Sequence, residues 1–274
     1  MENKEQPQIL LTNDDGIRSP GLWAAAEALS SLGFVTVAAP RGQCSGTGRS
    51  LPVSSDGVIL ESEIEIVGKT WKVYAIGGTP AQAVQHGIFE LTPRKPDLVV
   101  AGINYGENVG MGVTVSGTVG AALEGAARGV PSLAVSLETE ARYHLTYSDE
   151  INFSVAAHFT NLFARLMLNS SCFEDVDVLK VDVPSSATRT TPWKLTRLSR
   201  GKYFVPVPPK RVRLNEPGHI GYRMDMNEDS HDPDTDIYTL RVSRQISVTP
   251  LSLDLTSRVD LTELEQIFRH TLSQ

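Results

Sequence analysis

Cysteine is nearly absent from this chain: Cys44 and Cys172 are its only two among 274 residues, too few for a disulfide scaffold. A basic surplus is missing as well. Lys and Arg number 25 against 32 Asp and Glu, for a formal net charge of −7 and a pI near 5.4. That balance lacks the surface that duplex nucleic acid or an anionic membrane demands. The densest basic cluster, Lys210, Arg211 and Arg213, reads as a solvated loop. The apolar runs are strand-sized, so no membrane span is expected, and Met1–Gln8 is polar with nothing resembling a secretion signal. The six histidines, at 86, 144, 158, 219, 231 and 270, show no metal-ligand spacing. His86 and His158 fall on expected helices and read as structural, and Cys172 as a core or loop thiol. A soluble, reduced, cytoplasmic protein is expected.

What is present is an ordinary globular mixture: 41% apolar and 21% charged residues, with 22 Gly and 16 Pro, which excludes disorder, collagen-like repeats and simple coiled coil. The first two-thirds alternates strand-like and helix-like segments, predicting a mostly parallel sheet with helices on both faces. Ile9–Thr12 is a buried strand that stops at Asn13-Asp14-Asp15-Gly16, and Pro20 opens a helix over Leu22–Leu32 with Ser19 as its cap. Phe34–Ala39 is a second strand. Val58–Val67 and Trp71–Ile76 form a hairpin around Gly68-Lys69, because both arms alternate with period two. A helix over Ala81–Leu91, a strand over Asp97–Ala101, a helix from Gly117 to Arg128 and a strand over Ser132–Leu137 follow. Glu150–Leu168 is the longest amphipathic helix, and Val176–Val183 another strand.

Beyond residue 185 the character changes. Prolines 206, 208, 209 and 217 exclude a central strand or helix from Tyr203–Gly218, and Met224–Asp236 is acidic and reads as loop. Ile246–Leu251 is the last strand and Leu261–Leu272 a terminal helix. The expected organisation is a Rossmann-like, doubly wound α/β core over 1–185, with a C-terminal extension over 186–274 that carries an arm.

In such sheets ligands bind beyond the carboxyl ends of the strands, near the switch point of strand order. Three strand ends then deliver Asn13-Asp14-Asp15-Gly16, Arg41-Gly42-Gln43-Cys44-Ser45-Gly46 and Gly102–Asn108 to one rim. Their ligand atoms are oxygens, which suit Mg²⁺, Mn²⁺ or Ca²⁺ better than zinc. Adjacent carboxylates without a neighbouring Lys or Arg repel each other, and a divalent cation resolves that conflict. Asn-Asp-Asp-Gly is also good turn chemistry, so one strand end alone would not mark a site. Ser116-Gly117-Thr118 at a helix start forms an anion cradle, although simple capping by Ser116 explains it equally well.

Other motifs fail. Gly68-Lys69-Thr70 imitates the end of a P-loop, but Glu63 stands where its first glycine belongs, and no Gly-x-Gly-x-x-Gly follows the first strand. Gly42–Gly46 imitates a cysteine nucleophile elbow, yet Pro52 and a hairpin come next instead of a helix. An aspartyl-phosphate enzyme needs Asp where Asn13 stands.

Taken in order, Leu10–Gly16 with Pro20-Gly21, Ala39-Pro40, Ser45-Gly46, Gly78-Thr79-Pro80, Gly102-Ile103-Asn104 with Gly106 and Asn108, and Ser116–Val119 resemble the SurE (survival protein E) family of nucleotidases. Ser247–Leu251 and Asp254-Leu255-Thr256 extend the likeness, which is dense from residue 9 to about 137 and patchy afterwards. The resemblance implies a metal-dependent phosphatase of nucleoside monophosphates, acting on 5′- and also 3′-nucleotides. It further implies a homodimer or homotetramer built by exchange of C-terminal segments. By motif matching, Asp14, Asp15, Ser45 and Asn104 would hold one Mg²⁺ or Mn²⁺. Gly46, Asn108, Ser116, Gly117 and Thr118 would bind the phosphate, and Asp14 would orient or deprotonate the attacking water. The arm over Tyr203–Asp236 is expected to be exchanged with a partner. Arg41 replaces a usual acidic residue, Cys44 precedes the key serine, and Lys180-x-Asp182 stands where the family carries Asn-x-Asn. A glycine common before the last strand is also missing, its place taken by Ser243, Arg244 or Gln245. A binding module without turnover, and a hydrolase of other phosphate esters or short polyphosphate, would use the same pocket.

Overall fold

The computed structural model describes residues 6–66, 68–170, 174–225 and 232–272; Cys172, His231 and most of the acidic stretch before Asp232 lie outside them. In chain order the elements are β1 (Gln8–Thr12), α1 (Pro20–Leu29), β2 (Phe34–Pro40), β3 (Ile59–Ile66), β4 (Lys69–Ile76), α2 (Pro80–His86), β5 (Leu98–Tyr105), α3 (Gly117–Ala127) and β6 (Ser132–Leu137). Then come α4 (Ser154–Asn169), β7 (Val178–Val183), β8 (Trp193–Leu195), β9 (Phe204–Val207), β10 (Gly221–Met224), α5 (Asp236–Arg241), β11 (Ile246–Leu251) and α6 (Leu261–Leu272).

One sheet has the order β3-β4-β2-β1-β5-β6-β7-β11-β8. Its central ladders are parallel, while β3 on β4 and β11 on β7 run antiparallel. Alternation along β1 shows how both faces are covered. Ile9 and Leu11 face the layer of α1 and α4 with Leu22, Leu29, Phe159 and Phe163, and Leu10 faces α2 and α3 with Val84, Val119 and Ala122. The chain leaves β1 for β2 on one side and later returns as β5 on the other, so the switch point lies between β1 and β5.

Local chemistry moves several boundaries. Ser19 occupies the N-cap of α1 but makes no side-chain cap bond. The same helix ends at Leu29, short of Leu32, because Ser30 and Ser31 hydroxyls donate to the Glu27 and Ala28 carbonyls (2.8 and 3.0 Å). The expected helix over Ala81–Leu91 is helical to His86 and finishes as a π turn over Gly87–Leu91. Helix α4 starts at Ser154, where Asn152 accepts from its amide (2.9 Å), and not at Glu150. Strand β5 runs past Ala101 to Tyr105, with a register shift against β6 between Ala101 and Asn104.

After residue 185 the chain adds β11 and β8 to the same sheet, and β9 pairs with β10 as a separate two-stranded ribbon. Pro206 sits in that ribbon and not in a central strand, as its missing N–H requires. The base of the ribbon packs Tyr203, Phe204 and Met224 against Val109, Ile237 and Leu240. Asp236, read as loop from the sequence, opens the short helix α5 with its side chain fully buried. No described helix is long and apolar enough to cross a membrane.

Candidate metal and phosphate site

At the end of β1, Asn13 alone closes the turn: its Nδ2 donates to the Gly16 carbonyl and its Oδ1 accepts from the Gly16 amide, both at 3.1 Å. The turn therefore makes no use of the next two carboxylates. Asp14 and Asp15 are nonetheless buried, at 4% and 1% exposure, and neither has an ion pair among the described residues. Burial pushes the Asp14 carboxyl up, opposed by the Thr118 hydroxyl and by the Thr118 and Gly117 amides at the start of α3. Burial, and then the Asp14 charge, push Asp15 well above the usual carboxylate range. The Tyr105 amide (3.2 Å) and Gln43 Nε2 (3.0 Å) donate to its two oxygens and offset part of that rise.

The loop after β2 is fastened at both ends. The Cys44 amide donates to the Asp14 carbonyl (2.7 Å), and the Gly48 amide donates to the Val115 carbonyl beside α3 (3.0 Å). Between these ties lie Ser45 and Gly46, both exposed, Gly46 with a φ of 75° that favours glycine. Gln43 Nε2 lies 3.0 Å from Asp15 Oδ1, 3.0 Å from Ser45 Oγ and 2.9 Å from the His144 carbonyl. Arg41 turns away from this group and grips Asp56 with both terminal nitrogens (3.0 and 3.1 Å). The Cys44 thiol is half-buried beside the Gly42 and Gly78 carbonyls, and burial followed by the Asp14 charge pushes it up, the reverse of what a thiolate nucleophile needs.

From the β5 end, Asn104 Nδ2 donates to the Tyr105 and Gly106 carbonyls (3.2 and 2.6 Å), and no described donor reaches its Oδ1. Asn108 Nδ2 donates to Ser136 Oγ (2.9 Å), leaving its own Oδ1 and one N–H for a ligand. At α3, Ser116 caps the helix by accepting from the Val119 amide (3.1 Å), so the capping role is real, and its proton stays available to an anion. Thr118 Oγ1 donates to Asp14 Oδ1. Gly117 lies so close that a Cβ there would be 2.7 Å from the Asp14 Cβ and 2.8 Å from its Oδ2. The α3 N-terminus is thereby seated directly on Asp14, the first of the two acids.

Sequence reading missed a second layer. Gln43 joins Asp15 to Ser45, Tyr147 OH donates to the Asp15 carbonyl (2.7 Å), and His144 rings the rim beside Gly106. The His144 Nε2 donates to the Thr139 carbonyl (3.2 Å), so its Nδ1 accepts from Tyr222 OH of β10 (2.7 Å). Gln43 lies in the loop after β2 that the strand-end rule had already singled out, though without its bridging role; His144 and Tyr147 follow β6, and the same rule applied to Leu137 would have found them. Thr139 in turn lines a cavity of about 610 Å³ with Tyr143, Asn152, Met224 and Arg241.

The donor set fits an oxygen-liganded divalent cation. Among the described residues no group of three His, Cys, Asp or Glu side chains is placed to hold a metal ion, so a cation here would meet two carboxylates plus hydroxyl and amide oxygens. Two buried carboxyls, both pushed up by burial and Asp15 further by the Asp14 charge, are what such an ion would return to the charged form.

The fold is thus a Rossmann-like α/β sheet whose buried acids and free polar atoms gather at its switch point. The family model described as survival protein SurE matches residues 9–204. The 5′-nucleotidase SurE of Thermococcus kodakarensis is 41% identical over 262 residues, covering 95% of this chain and 98% of the relative. That of Methanocella arvoryzae is 39% identical over 271 residues, covering 96% and 98%. The crystal structure of the SurE protein from Aquifex aeolicus matches with a TM-score of 0.73 at 32% identity, covering 96% of this chain and all of that one. The chain belongs to the SurE family.

Proposed function

We propose that the protein is a divalent-metal-dependent phosphomonoesterase that releases inorganic phosphate from nucleoside monophosphates, from 5′-nucleotides foremost and from 3′-nucleotides as well. The observation that carries this reading is the buried Asp14–Asp15 couple, without an ion pair among the described residues and with Asp14 seated against the N-terminus of α3. The curated relatives, named 5′-nucleotidases along nearly their whole length, support it.

Asp14, Asp15, Ser45 and Asn104 would hold one Mg²⁺ or Mn²⁺. Bound there, the cation supplies Lewis-acid neutralisation of the charge that grows on the phosphoryl oxygens. The remaining work belongs to the chain. The Ser116 hydroxyl and the amides of Gly46, Gly117 and Thr118, with the Asn108 side chain, hold the phosphoryl oxygens where negative charge develops, while the Thr118 hydroxyl stays on Asp14. Asp14 orients a water in line with the ester bond and takes its proton; the water oxygen bonds to phosphorus, the ester P–O bond breaks, and the leaving alkoxide is protonated from solvent. The cavity beyond Thr139 is large enough for a nucleoside, and we place that half of the substrate there.

We further infer a homodimer or homotetramer joined by exchange of C-terminal segments. Helix α6 supports this: none of its residues is buried, and Leu261, Ile267, Phe268 and Leu272 stand exposed on it. We place the protein in the cytoplasm, where the free Cys44 thiol stays reduced.

The test is phosphate release from a panel of nucleoside monophosphates, short polyphosphate and other phosphate esters, with Mn²⁺ or Mg²⁺ and with EDTA. Metal-dependent release, lost in Asp14→Asn and Asn104→Ala proteins, is expected. Folded protein that binds nucleotide without turnover under any cation would establish a binding module instead.

A further inference from the structure

Three charged side chains lie wholly buried behind the site: Lys180 and Asp182 on β7 and Asp236 at the start of α5, each at 0% exposure. Lys180 Nζ donates to Asp182 Oδ2 and, at 3.2 Å, to Asp236 Oδ2. Each carboxylate then spends an oxygen on one end of the loop that follows β5. Asp182 Oδ1 accepts from the Asn108 amide (2.8 Å), and Asp236 Oδ2 accepts from the Gly110 amide (2.8 Å). Asp236 Oδ1 takes the Ser199 and Ile237 amides, both at 2.9 Å. A buried charge is held only where partners compensate it, and here the compensation consists largely of loop amides. Burial alone would pull the Lys180 ammonium down, but the two carboxylates outweigh it and keep it charged.

We propose that Asp182, oriented by Lys180, is a positioning residue that acts through the Asn108 amide to hold the Asn108 side chain at the phosphate pocket. The proposal rests on the reading of Asn108 as a phosphate ligand. The geometry gives Asp182 a division of labour that a neutral residue cannot copy while Lys180 is present. One oxygen faces the ammonium and the other faces Asn108. An asparagine has a single oxygen, which Lys180 would claim, turning the NH2 group against the Asn108 N–H. Replacing Lys180 by asparagine as well frees that oxygen to turn back.

The experiment measures inhibition by inorganic phosphate, KM, kcat, melting temperature and amide hydrogen exchange over residues 106–112 in full-length protein saturated with Mn²⁺. In Asp182→Asn, the phosphate inhibition constant and KM rise about tenfold, the worth of one buried hydrogen bond, with a smaller change in kcat. The loop amides exchange faster. Lys180→Asn with Asp182→Asn brings both back to within about twofold of wild type, and Asp182→Asn adds nothing in an Asn108→Ala background. Lys180→Asn alone lowers the melting temperature, since two buried carboxylates lose their cation, yet keeps phosphate affinity because Asp182 still faces Asn108. A purely structural role would make affinity follow melting temperature across the set, and that outcome overturns the proposal, as does additivity of the Asp182 and Asn108 changes. If Asp182→Asn does not fold, the Lys180→Asn result and the double variant decide. Wild-type protein that releases no phosphate with any cation overturns the reading of the site and this proposal with it; an active wild type whose Asp182→Asn variant keeps phosphate affinity overturns this proposal alone.

Discussion

Replacing Asp15 by asparagine removes the charge and keeps an acceptor for the Tyr105 amide, at the loss of the Gln43 contact; Gln43 Nε2, with two protons for three acceptors, still has Ser45 Oγ and the His144 carbonyl. Unfolded, the carboxyl titrates near 3.8, and folded it titrates well above that value, so the metal-free native state binds more protons than the unfolded chain between the two. Metal-free wild-type protein should therefore lose stability as pH rises from about 4 upward. The Asp15→Asn protein, with one carboxyl of the pair gone, should melt higher than wild type in EDTA at pH 7. Addition of Mn²⁺ reverses the order. At a free concentration a hundredfold above its dissociation constant, a cation that binds only the native state contributes about 2.7 kcal/mol. For a chain of this size that is a rise of about 5–10 °C, at about 2–4 °C per kcal/mol. Wild type should show this shift and Asp15→Asn should not. Differential scanning fluorimetry in EDTA, Mg²⁺ and Mn²⁺ across pH 5–8 reads all three expectations. An Asp15→Asn protein that gains as much from Mn²⁺ as wild type, or that melts lower in EDTA, would refute the argument that these carboxylates form a frustrated pair awaiting a cation.

Other outcomes follow from single contacts. Gly117→Ala sets a methyl 2.7 Å from the Asp14 Cβ; overpacking of about 1–3 kcal/mol exceeds the alanine helix preference of at most about 1 kcal/mol, and displacement of Asp14 should lower kcat/KM about 100-fold in a protein that still folds. Burial raises Glu107 to about 7 although Tyr203 donates to it, so its contribution is lost as pH climbs from about 4.5 to 7; Glu107→Gln should be more stable than wild type at pH 8, by on the order of 3 kcal/mol, and equal near pH 4, as thermal melts will show. Burial alone would raise Glu138, but Arg244 and the Ser185 amide and hydroxyl outweigh it and hold the carboxyl at about 2. That stabilisation is complete above about pH 4.5 and lost as pH falls towards 2, so acid titration of Arg244→Leu, followed by circular dichroism, should show a lower baseline stability and a flatter acid limb.

The layered sheet was legible because its signals are local: period-two strands, Pro20 and Thr79-Pro80 opening helices, and Leu10 flanked by Ile9 and Leu11 that face the other way. The acidic pair could be found from the rule that strand ends carry ligands, without any contact being visible. Partners brought by distant segments could not be found in this way. Tyr147 reaches Asp15, and Tyr203 reaches Glu107, across separations that no periodicity encodes. Asp236 looked like acidic loop because its compensation comes from Lys180 and from amides at 110 and 199. Asn13-Asp14-Asp15-Gly16 supported two readings, and they are compatible: Asn13 alone makes the turn, so the turn makes no claim on the two carboxylates.

The ribbon of β9 and β10 has a bearing on the pocket that its outlying position hides. Tyr222 on β10 grips the His144 ring, the His144 carbonyl takes Gln43, and Gln43 touches both Asp15 and Ser45. The ribbon is therefore tied, through His144 and Gln43, to two of the proposed cation ligands. A hydrogen-bonded path thus runs from an outlying two-stranded ribbon to the rim of the switch point, although the ribbon contributes none of the proposed ligands itself.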